Sequence, residues 1–112
     1  DDIMLLKVGR HIRPSDKFKL IIARDAGESK FLEGYRKQYT SLHALSHSGP
    51  MALVDGELKQ EQYPLAAAIV ARFGKGRSAE EVEIDIATPD QQRQQIKTAP
   101  LSADEVLQEW YV

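Results

Sequence analysis

The 112-residue chain contains no cysteine. Disulfides, thiolate nucleophiles and cysteine-ligated metals are therefore excluded. The absence agrees with a reducing compartment, and a cytoplasmic location is the expectation. No apolar run approaches the roughly 20 residues of a membrane-spanning helix, so no membrane partner is expected. The opening Asp-Asp-Ile-Met lacks the basic stretch and apolar core of a signal peptide, and there is no initiator Met. The chain thus reads as a domain cut from a longer protein. It has no internal repeat and no low-complexity linker, so residues 1–112 read as a single domain. A large net charge is also missing. The value of −2 argues against generic polyanion binding, and 42% hydrophobic with 29% charged residues is ordinary globular material.

The charge that is present is unevenly placed. From Lys7 to Arg24 there are six basic residues (Lys7, Arg10, Arg13, Lys17, Lys19, Arg24) against Asp16 alone, with His11 among them. From Asp25 onward there are nine basic and fourteen acidic residues. Such a segment reads either as an electrostatic footprint for phosphate or as ordinary solvated strand surface.

Apolar and turn signals give the expected elements. Ile3–Val8 suggests an opening strand. Pro14-Ser15-Asp16 reads as a turn. Phe18–Ala23 is the clearest strand, and a hairpin around Pro14 is expected to expose several of the basic side chains. Ala26–Gln38 reads as a helix capped by Asp25, with Phe31, Leu32 and Tyr35 on its apolar stripe. Ser41–Leu45 and Pro50–Val54 read as strands, with a turn at Asp55-Gly56. A second helix is expected over about Gln60–Phe73, regular from Tyr63, burying Leu65, Ile69, Val70 and Phe73. Val82–Ile86 alternates as a half-buried strand, and Gln91–Thr98 is read as its return strand. Ser102 to Glu105 forms a capping box before a short C-terminal helix in which Val106, Leu107 and Trp110 pack inward. The sum is an α+β domain with a mostly antiparallel sheet, two longer helices and a short one.

Candidate chemistry is thin. His43 and His47, in extended chain, stand about 13 Å apart, too far to share one ion, so no metal is expected. Ser46, His47 and Ser48 lack the nucleophile elbow and an orienting acid. A phosphodiesterase pair of His43 with His11 or His47 would need both rings to converge on one phosphate. No phosphate-binding loop is present, since Gly74-Lys75-Gly76-Arg77-Ser78 follows a helix instead of preceding one. Lys75 and Arg77 read equally as helix C-terminal caps or as phosphate contacts. Arg24-Asp25, at a strand-to-helix junction, reads either as a bidentate phosphate contact or as a surface ion pair beside a cap. Neither catalytic residues nor a cofactor are expected.

The same residues carry a resemblance. Leu5 to Arg13 (LLKVGRHIR), Lys19 to Asp25 (KLIIARD), Leu42-His43-Ala44, Ser48-Gly49-Pro50, Ala52-Leu53-Val54 and Ala66 to Phe73 (AAAIVARF) resemble the NFACT RNA-binding domain. The similarity is to its variant at the C-terminus of tRNA thiouridine synthase-like proteins of the PP-loop ATPase class, and Pro100 to Glu105 resembles that variant too. The family's VGRN signature appears as Ile22-Ala23-Arg24-Asp25, with Ser29 in place of a second asparagine. The SGGxDS-like catalytic motif of such enzymes is not in this chain. The resemblance implies a non-catalytic accessory domain that binds tRNA or other structured RNA beside the catalytic domain of the same protein. Arg24 and His43 are then the foremost RNA contacts, with Arg10, His11, Arg13, Lys17 and Lys19 as the electrostatic patch. The alternative is a protein docking module holding the catalytic domain or a sulfur carrier.

Overall fold

The computed structural model describes residues 7–112. The first four positions of the strand expected at Ile3–Val8 lie outside these residues, and Lys7 and Val8 form a turn and bend. Six strands follow: β1 (Arg10–Ser15), β2 (Phe18–Ile22), β3 (Thr40–Ala44), β4 (Ala52–Gly56), β5 (Val82–Ala87) and β6 (Arg93–Thr98). They form one sheet in the order β1-β2-β4-β3-β5-β6, with every neighbouring pair antiparallel. Two helices are inserted, α1 (Ala26–Glu33) between β2 and β3, and α2 (Tyr63–Arg72) between β4 and β5. The fold is α+β, as the sequence implies.

The topology fixes where the helices lie. β2 and β3 are parallel to each other with β4 between them, and so are β4 and β5 with β3 between them. β2 and β4 run in opposite directions. Two right-handed crossovers that step the same way across the sheet must therefore pass over opposite faces. Leu32 of α1 packs on Ile21 and Leu53. Ala66, Ala67, Ile69 and Val70 of α2 pack on the other face, against Leu20, Ile22, Leu42, Val54, Ile84 and Ile86. The alanines let α2 approach the sheet closely, and burying Ile69 and Val70 contributes about 1.5–3 kcal/mol each.

Several boundaries depart from expectation for identifiable reasons. Pro14 lies inside β1, and the turn falls at Asp16-Lys17. An edge strand tolerates a proline, and the register slips there, between Ile12 and Ser15. β2 is buried along its whole length, so Lys19 is not on an exposed face. α1 ends at Glu33, one turn early, and its Gly34 C-cap leads into turns through Gln38. Its Asp25 cap forms as read, with the carboxylate accepting from the Glu28 N–H at 2.8 Å, a contact of about 1 kcal/mol. Asp55 and Gly56 belong to β4 and do not form a turn. α2 is preceded by a 3-10 turn at Gln60–Gln62 and becomes regular at Tyr63; Leu65 and Phe73 are only half-buried. The expected final helix is two 3-10 turns, Ala103–Glu105 and Gln108–Trp110, separated by extended backbone at Val106 and Leu107. The capping box forms, with the Ser102 N–H donating to Glu105 Oε1 at 2.7 Å. Val106 packs inward but Leu107 is exposed. Beyond these turns, Tyr111 bridges to Ile12 on the outer side of β1, and the Val112 N–H donates to the His11 carbonyl at 3.1 Å.

Candidate nucleic-acid interface

The N-terminal basic segment is divided between the two faces of the hairpin, with His11 and Lys19 on the side of Ile21 and α1. Arg10 lies on the α2 side of the sheet, with its guanidinium 5.0 Å from the centre of the Phe73 ring. His11 Nε2 is 3.1 Å from the Val8 carbonyl oxygen. Arg13 is exposed on edge strand β1. Lys17 occupies the hairpin tip, roughly 20 Å along the strand from Arg24. Lys19 is 7% exposed, with its ammonium 3.9 Å from Asp55.

Arg24 stands at the expected junction, but the protein's own carboxylates fill that corner. Glu28 accepts from Arg24 Nε at 3.0 Å, Nη2 at 2.7 Å and the Arg24 backbone N–H at 2.8 Å. Asp25 takes the Glu28 N–H. The Arg24 fork is thus engaged by a side chain one helical turn away. Its hydrogen bond lowers the Glu28 carboxyl from 4.5 to about 2, with the backbone N–H groups of Arg24 and Gly9 adding to the effect against the opposing influence of burial. A carboxyl lowered in the folded state contributes stability above its unfolded value and loses it as pH falls. Stability should therefore decline as pH drops from 4.5 toward 2. In Arg24→Ala, which keeps the two backbone N–H donors but loses the largest influence, the Glu28 carboxyl should titrate higher than in wild type, and most of this part of the decline should disappear. Carboxyl NMR titration with parallel acid unfolding checks both.

A cationic surface is assembled elsewhere, from residues far apart in sequence. Three clefts run along α1. The first, of about 540 Å³, is lined by Ser29, Lys30, Glu33, Arg36, His43 and Gly49, among others. A second, of about 380 Å³, shares Ser29 and Gly49 with it and adds Arg24, Asp25, Ser48, Phe73, Lys75 and Arg77. A third, of about 660 Å³, shares Glu33 and Arg36 and adds Lys37 and Arg93. Seven basic and two acidic residues line this belt on a chain of net charge −2. Arg24 and Arg93 are held by Glu28 and Asp85. Lys30, Arg36, Lys37, Lys75 and Arg77 make no ion pair among the described residues.

The loops that present these cations are tied down. Gly49 and Gly74 pack so closely that a Cβ on either would lie 3.2 Å from the other's Cα. The Lys75 N–H donates to the Ser48 carbonyl at 2.7 Å, and Arg77 reaches the Gly74 carbonyl at 3.5 Å. The two residues therefore sit just past the end of α2, as expected of caps, and also face the cleft that Arg24 lines. Ser29, in the position of the family's second asparagine, accepts from the Met51 N–H at 3.3 Å and joins α1 to β4.

His43 lies on β3, on the face that α1 leaves open, beside Asp85 of β5. Although Val82–Ile86 alternates as a half-buried strand, Asp85 is wholly buried and is bound by Arg93 at 2.7 Å. Burial is the main influence holding His43 below the usual histidine range. Ser46 and His47 are within hydrogen-bond distance, at 2.9 Å, but the Ser46 hydroxyl also accepts from the Glu83 N–H and fastens the loop to β5. Among the described residues no three potential ligands converge on a metal position. Nor is any described helix long and apolar enough to cross a membrane.

No curated protein sequence matches the chain. Among solved structures, a similar one is the C-terminal part of the fibronectin/fibrinogen-binding protein from Streptococcus suis. It superposes with a TM-score of 0.75 at 14% identity over 94% of this chain. The match takes in 50% of that structure, so the present chain spans about half its length and shares its fold. The family model described as the NFACT protein RNA binding domain matches residues 9–111, nearly the whole of the described fold, and the chain belongs to that family.

Proposed function

We propose that this domain binds structured RNA, tRNA foremost, through the cationic belt along α1. The observation that carries the reading is the belt itself: five cations without acidic partners among the described residues, held by two segments far apart in sequence, on an otherwise acidic chain. Membership of a family described as RNA-binding supports it. Phosphate contacts of this kind position a nucleic acid without reading its sequence. The role is that of a non-catalytic accessory domain in a tRNA-modifying, thiouridine synthase-like protein. That assignment is supported by the resemblance of Leu42 to Pro50 and Pro100 to Glu105 to the variant found in such proteins. Sulfur transfer would then belong to a catalytic domain of the same protein, and this domain would hold the tRNA for it.

Fluorescence anisotropy with labelled tRNA tests the reading. About five phosphate contacts imply micromolar or weaker affinity and a log–log salt slope of about −4 to −5. Affinity should fall by two to three orders of magnitude between about 50 and 200 mM salt. A flat salt response, or no binding at the lowest salt, overturns the RNA assignment. A flat response with retained protein association would favour the docking module.

A further inference from the structure

The pairing of β3 with β5 sets His43 directly opposite Asp85. Asp85 Oδ2 accepts from Arg93 Nη2 at 2.7 Å and Nε at 3.2 Å, and lies 3.9 Å from His43 Nδ1. Its Oδ1 is buried without a hydrogen-bond partner among the described residues. A buried carboxylate held by one arginine and short of a partner is an incompletely compensated charge. The imidazole is the adjacent group able to supply further compensation by gaining a proton. It is one-third exposed, at 34%, and lines the cleft that holds Ser29, Lys30 and Arg36. One side of the ring thus meets a buried negative charge, and the ring also borders a cavity lined by Lys30 and Arg36 against the single acid Glu33.

The groups around the ring oppose one another. Burial disfavours the imidazolium most, and Arg36 after α1 and Arg93 on β6 repel it. Asp85 on β5 and Glu33 on α1 favour it. An anion seated by Lys30 and Arg36 would cancel the repulsion from Arg36 and bring its own negative charge to the ring. Imidazolium has two N–H donors, so Nδ1 can serve Asp85 while Nε2 serves the anion.

We propose that this cleft is a phosphate site in which His43 takes up a proton from solvent as the phosphate binds, with Asp85, itself held by Arg93, as the positioning residue that orients the ring. The proposal rests on the RNA reading above and adds to it a linkage between RNA binding and pH. The phosphate is either a backbone phosphodiester or a terminal phosphomonoester, and the test separates the two.

The test is a ring-nitrogen NMR titration of His43 in the full chain. It is run alone, with inorganic phosphate, and with a short RNA hairpin bearing or lacking a 5′-phosphate. The midpoint should rise by about one unit with ligand, equivalent to about tenfold in proton affinity. RNA affinity at fixed salt should tighten several-fold between about pH 8 and pH 6, across the ordinary histidine range. His43→Gln should remove that pH dependence, whereas a merely structural histidine would change affinity equally at both pH values. Asp85→Asn should weaken the linkage and leave the salt slope intact. Should that variant not fold, the wild-type titration decides alone. A shift seen only with the 5′-phosphorylated hairpin assigns a terminal phosphate; equal shifts assign the backbone. A midpoint unmoved by both RNA and inorganic phosphate, or a pH dependence retained in His43→Gln, overturns the proposal. RNA that binds without moving the midpoint defeats the proposal and leaves the RNA reading standing. Failure of RNA to bind, with a midpoint that still moves with inorganic phosphate, does the reverse.

Discussion

The triple variant Lys30→Glu/Arg36→Glu/Lys75→Glu is expected to lose RNA binding by more than about 100-fold at low salt. Three charge-assisted contacts of at least about 1 kcal/mol each account for that loss, and the new repulsion adds to it. Arg36→Glu alone should cost about tenfold and lower the salt slope by about one unit. Arg36 is placed to have the largest single effect because it lines two of the three clefts. Lys17→Glu is the informative control. It carries the same charge reversal, but on the hairpin tip roughly 20 Å along the strand from Arg24, well beyond the screening distance of about 8–10 Å. Its affinity should stay within about twofold of wild type. Melting curves should be unaffected in Lys17→Glu, because that side chain is exposed. Equal losses in Lys17→Glu and Arg36→Glu would return the interface to the N-terminal basic segment.

The largest expected loss of stability comes from Gly56→Val. Gly56 ends β4 opposite Phe18, with φ at +114°, where a side chain is strained in any surroundings. A Cβ there would lie 2.3 Å from the Lys17 carbonyl oxygen and 2.9 Å from the Phe18 Cα. Both are backbone atoms of the hairpin that β4 extends, and neither can rotate away. Strain and clash together should cost about 3 kcal/mol or more, lowering Tm by at least about 12 °C. Gly27→Ala is the matched control. Its Cβ would meet only the Asp25 carboxylate, at 3.4 Å, so it should change stability by no more than about 0.5 kcal/mol. A Gly56→Val protein that melts within a few degrees of wild type would show that the hairpin end yields.

The fold was legible wherever the signal is local. The alternation of Val82–Ile86, the Asp25 cap and the proline in the first turn of α2 each gave the right element, whereas the Ser102–Glu105 capping box forms but opens a 3-10 turn in place of the expected helix. Pro14 misled because the turn residue and the tolerated edge-strand residue look alike until strand order is known. The candidate surface was less legible, for the same reason. Lys30, Arg36, Lys75 and Arg77 are scattered among acids in the sequence, and the packing of the loop after α2 against Ser48 and Gly49 is what brings the last two to the clefts beside α1. The visible cluster from Lys7 to Arg24 is instead spread along a hairpin, where Arg10 stacks on Phe73 and Arg24 is taken by Glu28. Asp85 was hidden by its own pattern. An acid at an alternating position reads as solvent-facing, and only the strand pairing shows that Arg93 of β6 and His43 of β3 stand beside it.

The bridge from Tyr111 to Ile12 has a consequence for assembly. At His11 and Ile12 it occupies the outer side of β1 with the chain's own residues, so among the described residues the sheet's two margins are not equivalent. Among the described residues no strand covers the outer margin of β6, which carries Gln94, Gln95 and Lys97, and recruitment of a further strand falls to it. If two copies meet there, each uses the same margin, and none is left over. Pairing of this kind closes on a two-fold axis at twelve strands, with a polar seam, and does not propagate into a filament.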